Sequence, residues 1–263
     1  MAPAENARAK QELRVLGLTK VVDDRAERVR DVMTIRLGAV TGDASYFLLT
    51  ENEREAREIP KGALVPVVCR AHHLTSGKVS EEDWNLLRDA GEKAWLFRPT
   101  TSDSHLPAVK AYLGLRRNNG GCNRSAYKVR SREPWYQTPM PDVVDAFISG
   151  MSSWGPWLVF REMPGLSATN TLYVVRFAGA FSMDERAAWA MWLLTTDARR
   201  LLAERGRRYA DGLVKFEPGD VANMPIRRPS QTHGAYAAYQ RAVRLLTAGE
   251  GLRSQAIADE WFC

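Results

Sequence analysis

Residues 156–194 read PWLVFREMPGLSATNTLYVVRFAGAFSMDERAAWAMWLL, and this stretch decides the fold class. Its two apolar runs, 156–162 and 171–177, are rich in the Trp, Leu, Val, Phe and Tyr side chains that suit a pleated, half-buried surface. Pro164-Gly165 between them is a turn signal, so the runs are expected to be paired strands. The periodicity then changes. Ser182-Met183-Asp184-Glu185 has the spacing of a capping box, and Trp189, Trp192, Leu193, Leu201 and Leu202 form an apolar helical stripe that ends at Gly206. Strand pairs beside separate helices, without regular alternation of the two, indicate an α+β domain rather than a doubly wound sheet.

Outward from this stretch the same mixture continues. Alternation at 32–37 and 46–49 predicts two strands joined as a hairpin at Thr41-Gly42-Asp43. Residues 64–69 suit a short buried strand, with Pro66 favouring an edge position or an irregular start. Ser80, followed by three acids, opens a helix that stops at Gly91, and another fits 105–113. Residues 4–16 read as a charged helix, and 235–247 and 252–262 as two more, so the last third is largely helical. Between Gly114 and Trp135 the periodicity vanishes. That segment carries Arg116, Arg117, Arg124, Lys128, Arg130 and Arg132 without a single acid from Arg116 to Arg132.

The chain has 263 residues, with 37 Lys and Arg against 31 Asp and Glu, a formal charge of +6 that is compatible with a polyanionic partner without defining one. Cys69, Cys122 and Cys263 are too few and too scattered for a disulfide framework, so free thiols in a reducing cytoplasm are expected. No apolar run has the length of a membrane span or the character of a signal peptide. A glycine-rich cofactor loop, a Walker lysine loop and a Gly-x-Ser-x-Gly elbow are all missing, so no catalytic residue is assigned. Cys69, His72, His73, His105 and Cys122 include zinc-ligand types, but they lack a compact ligand pair and read as a buried strand residue, loop histidines and a scattered thiol.

Four groups of residues carry a resemblance. They are Leu37-Gly38-Ala39-Val40-Thr41-Gly42 with Phe47; Leu64-Val65-Pro66-Val67-Val68 with Arg70; Tyr127-Lys128-Val129-Arg130, Arg132, Pro134-Trp135-Tyr136 and Ala168-Thr169-Asn170-Thr171; and Tyr209, Gly212-Leu213, Lys215, Glu217-Pro218, Asp220-Val221 and Met224-Pro225. In this order they resemble the C-terminal target-recognition region of type II adenine-N6 DNA methyltransferases, over residues 30–228. The family's methyl-transfer motif Asn-Pro-Pro-aromatic has no counterpart, since the chain contains no Pro-Pro. The resemblance therefore implies an α+β DNA-recognition domain of a restriction-modification system, with double-stranded DNA as partner. Methylation would come from a separate catalytic subunit or a split gene's other half, which would bind S-adenosylmethionine. It divides the chain into an N-terminal segment 1–29, a recognition domain 30–228 with a sub-boundary near 178–182, and C-terminal helices 229–263.

The candidate DNA contacts follow from residue chemistry and from that resemblance. Arg116, Arg117, Lys128, Arg130 and Arg132 could neutralise phosphates and release condensed counterions, and the last three would share one face if the segment were a strand. Trp135 and Tyr136 could stack on an unpaired base, or anchor a turn after Pro134. Thr41 and Gly42 could present backbone amides to phosphate or simply shape a turn, and Asn170 and Thr171 could hydrogen-bond to DNA or cap a strand. Arg70, His72 and Lys215 complete the set. Arg199, Arg200, Arg205, Arg207 and Arg208 lie among Asp197 and Glu204 and read as a solvated helix face. Trp189 and Trp192 read as core. The rival reading is a protein-interaction subunit of a restriction-modification complex, whose Trp-rich helices dock a partner and whose DNA contacts are minor.

Overall fold

A computed structural model describes residues 27–209 and 212–262. The helix expected over 4–16 lies outside these residues, as does Cys263. The described strands are β1 (Met33–Leu37), β2 (Leu48–Leu49), β3 (Leu64–Val68), β4 (Lys78–Val79), β5 (Trp95–Phe97), β6 (Ala146–Ser149), β7 (Met151–Ser152), β8 (Val159–Arg161), β9 (Ser167–Ala168), β10 (Leu172–Phe177), β11 (Arg207–Arg208) and β12 (Val214–Lys215). They form a five-stranded sheet in the order β1-β10-β6-β8-β4, a four-stranded sheet β2-β5-β3-β9 and a small sheet β11-β12-β7. With the helices between and after them, this is an α+β fold.

Strand periodicity makes the five-stranded sheet the partition between two cores. Met33, Ile35, Ala146, Ile148, Phe160, Tyr173, Val175 and Phe177 face the helical core, while Phe147, Val159, Leu172 and Val174 face the core of the four-stranded sheet. The helical core is closed by the helices Met183–Trp192, Thr196–Ala203, Ala235–Thr247 and Gly251–Trp261. Trp189 and Trp192 are buried there, as their spacing predicts. No helix among the described residues is long and apolar enough to cross a membrane.

Several expectations are corrected. The runs at 156–162 and 171–177 do form strands, but β8 and β10 do not pair with each other, because β6 lies between them and bonds to both. Ala146–Ser149 has apolar neighbours on both sides of the sheet, so it lacks the polar alternation that announces a strand. The hairpin at Thr41-Gly42-Asp43 does not form either. β1 pairs with β10, and Ala44–Phe47 is a helical turn whose Tyr46 and Phe47 amides donate to the Asp43 carbonyl. β3 is an interior strand rather than an edge, although Pro66 precedes the point at which β9 joins it at Val67, so the missing N–H falls where only β5 is paired. The helix opened by the Ser182 cap stops at Trp192; Thr195 caps a second helix, and Arg207 and Arg208 leave helical structure for β11.

Candidate nucleic-acid interface

Strand direction gathers the candidate residues. β10 is antiparallel to both β1 and β6, so the chain leaves β1 and β6 at the same end of the sheet at which it enters β10. Beyond β1 lies Gly38–Gly42, before β10 lies Asn170-Thr171, and beyond β6 lies β7. Backbone bonds lace these together. The Gly38 amide donates to Leu172 O (3.1 Å), Ala39 N to Ala168 O (2.7 Å), Asn170 N to Ala39 O (3.1 Å) and Thr169 N to Val68 O (3.1 Å). Only glycine fits at 38, because a Cβ there would lie 2.4 Å from both the Ala168 and Thr169 carbonyl oxygens.

Thr41 is buried and Gly42 turns the chain with φ +78°, where a Cβ would come within 2.8 Å of Lys128 Cβ. The segment 127–132 packs on this turn. It is not the expected strand: Tyr127–Arg130 is one helical turn, so Lys128, Arg130 and Arg132 do not alternate across a pleat. Their environments differ accordingly. The Arg132 guanidinium is partly buried, donating to Thr41 O (2.9 Å), to Val40 O and to Thr138 Oγ1 (3.1 Å) over the Phe47 ring, and burial pulls its pKa down. It is an anchor. Lys128 and Arg130 are exposed and have no ion-pair partner among the described residues, resting only near the ring of Tyr127, itself 66% exposed.

An open groove of about 430 Å³ runs between β1 and this turn, lined among others by Arg36, Leu37, Gly38, Lys128, Arg132 and Pro141. A second hollow of about 200 Å³ shares Arg36 and Pro141 and extends to Thr34, Arg176 and Asp142. Arg36 and Arg176 are exposed and, like Lys128, unpaired among the described residues. Sequence reasoning passed over both. The signal was a lone charge within an apolar strand, since Arg36 and Arg176 break the apolar runs of β1 and β10 where the outer sheet face is uncovered.

The remaining candidates divide between exposed and structural positions. Arg116 and Arg117 are exposed beside the turn Arg117–Asn119. Trp135 is half-buried against Tyr46 and Phe47 with Arg124 stacked 4.2 Å from its ring centre, and Tyr136 meets it edge-on, so the pair anchors the segment to the core. Asn170 and Thr171 are both exposed, but the Thr171 hydroxyl is engaged, donating to Cys69 O and sharing a hydrogen bond with Thr169 Oγ1 (3.0 Å). Lys215 is half-buried, 3.2 Å from Glu217. Arg70 is exposed, 3.9 Å from Glu92.

His72 and His73 do converge with Glu92, their ligand-type atoms all within 4.8 Å of one another. The cluster's buried member, His73, is satisfied from within, while His72 is exposed. His73 Nδ1 accepts from Cys69 N–H (3.3 Å), leaving Nε2 to donate to Glu92 Oε2 (3.3 Å), and burial holds its pKa below the usual imidazole range. The thiols of Cys69 and Cys122 are both pushed up to about 12, chiefly by burial, so neither supplies a thiolate near neutrality.

The family model of the C-terminal domain of type II methyltransferase M.Eco57I matches residues 10–259. The chain belongs to that family. It is similar to type II methyltransferase M.AccI of Acinetobacter calcoaceticus, at 21% identity over 184 residues, covering 70% of this chain and 33% of the relative. Among solved structures it is similar to the type IIL restriction-modification enzyme MmeI, determined in complex with DNA, with a TM-score of 0.55 and 14% identity over 92% of this chain and 34% of that one. It is also similar to the type IIG restriction endonuclease BpuSI, with a TM-score of 0.51 and 11% identity over 97% of this chain and 33% of that one. The chain spans about a third of the length of each of these relatives.

Proposed function

We propose that this chain is the target-recognition part of an adenine-N6 DNA methyltransferase in a restriction-modification system, reading a short duplex sequence and positioning the target adenine for a catalytic domain or subunit supplied separately. S-adenosylmethionine is assigned to that catalytic part, and no residue of this chain is assigned to it. The observation that carries the reading is that, in a member of the M.Eco57I C-terminal family, Arg36 and Lys128 line one groove at an end of the five-stranded sheet, with Arg130 on the same helical turn as Lys128 and Asn170 bonded through its backbone amide to Ala39 beside them. Unpaired exposed cations on a rigid scaffold suit phosphate contact, and an exposed amide beside them suits hydrogen bonding to base edges. The rival docking role loses its basis in the tryptophans, because Trp189 and Trp192 are buried in the helical core.

Titrating labelled duplex DNA at several salt concentrations tests this. The logarithm of the binding constant should fall linearly with the logarithm of salt, by about 0.9 for each phosphate neutralised. A short preferred sequence should emerge in competition once the catalytic part is added. Salt-independent binding, or none with and without that part, would overturn the reading.

A further inference from the structure

Arg207 and Arg208, expected on a helix face with Arg199, Arg200 and Arg205, instead form β11, the edge strand of a three-stranded β-ribbon completed by β12 and β7. Arg207 lies opposite Lys215 and Arg208 opposite Val214, while Lys215 also faces Met151 on β7. The Tyr209 amide closes the ribbon onto Leu213 O (2.8 Å). Arg207, Arg208 and Tyr209 are exposed, and neither arginine has a partner among the described residues. Residues 205–215 contain four cations and one acid, Asp211.

Three features mark this ribbon's exposed edge. Arg207 and Lys215 stand directly across from each other, and like charges in that position destabilise a strand pair; Glu217 relieves only the lysine. Successive strand residues point to opposite faces, so Arg207 and Arg208 put a cation on each side of the ribbon. The ribbon also leaves the five-stranded sheet at the end that carries the groove, because β7 follows β6 after Gly150 and the Phe216 amide donates to Gly150 O (3.1 Å). β6 and β1 are separated by β10 alone, placing the roots of ribbon and groove about 10 Å apart.

We propose that the exposed edge strand β11 is a second DNA-contacting element, with Arg207 and Arg208 gripping the phosphate backbone beside the groove end of the five-stranded sheet. Unpaired, exposed arginines on an edge strand suit phosphate contact, and their place at the groove end of the five-stranded sheet puts them beside the first set of cations. This inference rests on the DNA-recognition reading above.

The test compares the full chain with R207A/R208A and R207K/R208K variants by titration of labelled duplex DNA between about 50 and 200 mM salt. The alanine variant should bind at least tenfold more weakly at the low-salt end, with a salt slope shallower by about 2, while the lysine variant keeps the slope. Its melting temperature should not fall, since the substitution relieves repulsion across the ribbon. An alanine variant that matches the unsubstituted chain in affinity and slope overturns the ribbon's role and leaves the recognition reading standing. Equal loss in the alanine and lysine variants assigns the effect to structure and also overturns it. Absence of salt-dependent binding by the unsubstituted chain overturns both.

Discussion

Reversing two charges, Lys128→Glu with Arg130→Glu, is expected to weaken duplex DNA binding on the order of a hundredfold at low salt, through lost counterion release and added repulsion. The fold should be untouched. Both side chains are exposed and neither makes an ion pair among the described residues, so their replacement removes no buried interaction and stability should stay within about 0.5 kcal/mol. Binding isotherms beside thermal melts separate the two effects. Unchanged affinity would remove the helical turn Tyr127–Arg130 from the interface, and a collapse in stability would mean that the loss of binding reports folding.

Arg132→Leu should do the reverse, costing about 2–3 kcal/mol of stability. The guanidinium is the shared donor for the carbonyls of Val40 and Thr41 and for the Thr138 hydroxyl, and both Thr41 and Thr138 are buried. Leucine keeps apolar contact with Phe47 but leaves those acceptors without a donor inside the protein. At this size such a loss lowers the melting temperature by roughly 4–12 °C. Arg132→Lys should recover part of it, because a single ammonium cannot span three acceptors as the planar fork does. A melt identical to that of the unsubstituted protein would show that Arg132 holds nothing.

Much of the fold was legible where the chemistry is local. The capping residues Ser80 and Ser182, and Gly249 after the helix Ala235–Thr247, mark their elements because each acts within a turn or so of its own position. Pairing was not legible. Whether the strand at 33–37 meets its sequence neighbour or a strand some 140 residues away depends on which apolar face finds a partner, and β6 between β10 and β8 is buried too completely to show any alternation. The site was legible in composition and hidden in geometry. An acid-free run of cations identified Lys128 and Arg130, but only the folded arrangement distinguishes them from Arg132, which is spent on the Thr41 turn, or adds Arg36 and Arg176 from distant strands. Arg207 and Arg208 were misassigned for the same reason, since their helical charge spacing gives no sign of the partner strand β12.

Hydrogen–deuterium exchange of the chain with and without duplex DNA tests the central claim most directly, because it reads every part of the surface at once. Slowed exchange is expected in residues 36–42, 127–132 and 169–172, which border one end of the five-stranded sheet, with 183–192 and 235–261 unchanged. Protection confined to those helices, with none at the sheet end, would contradict it.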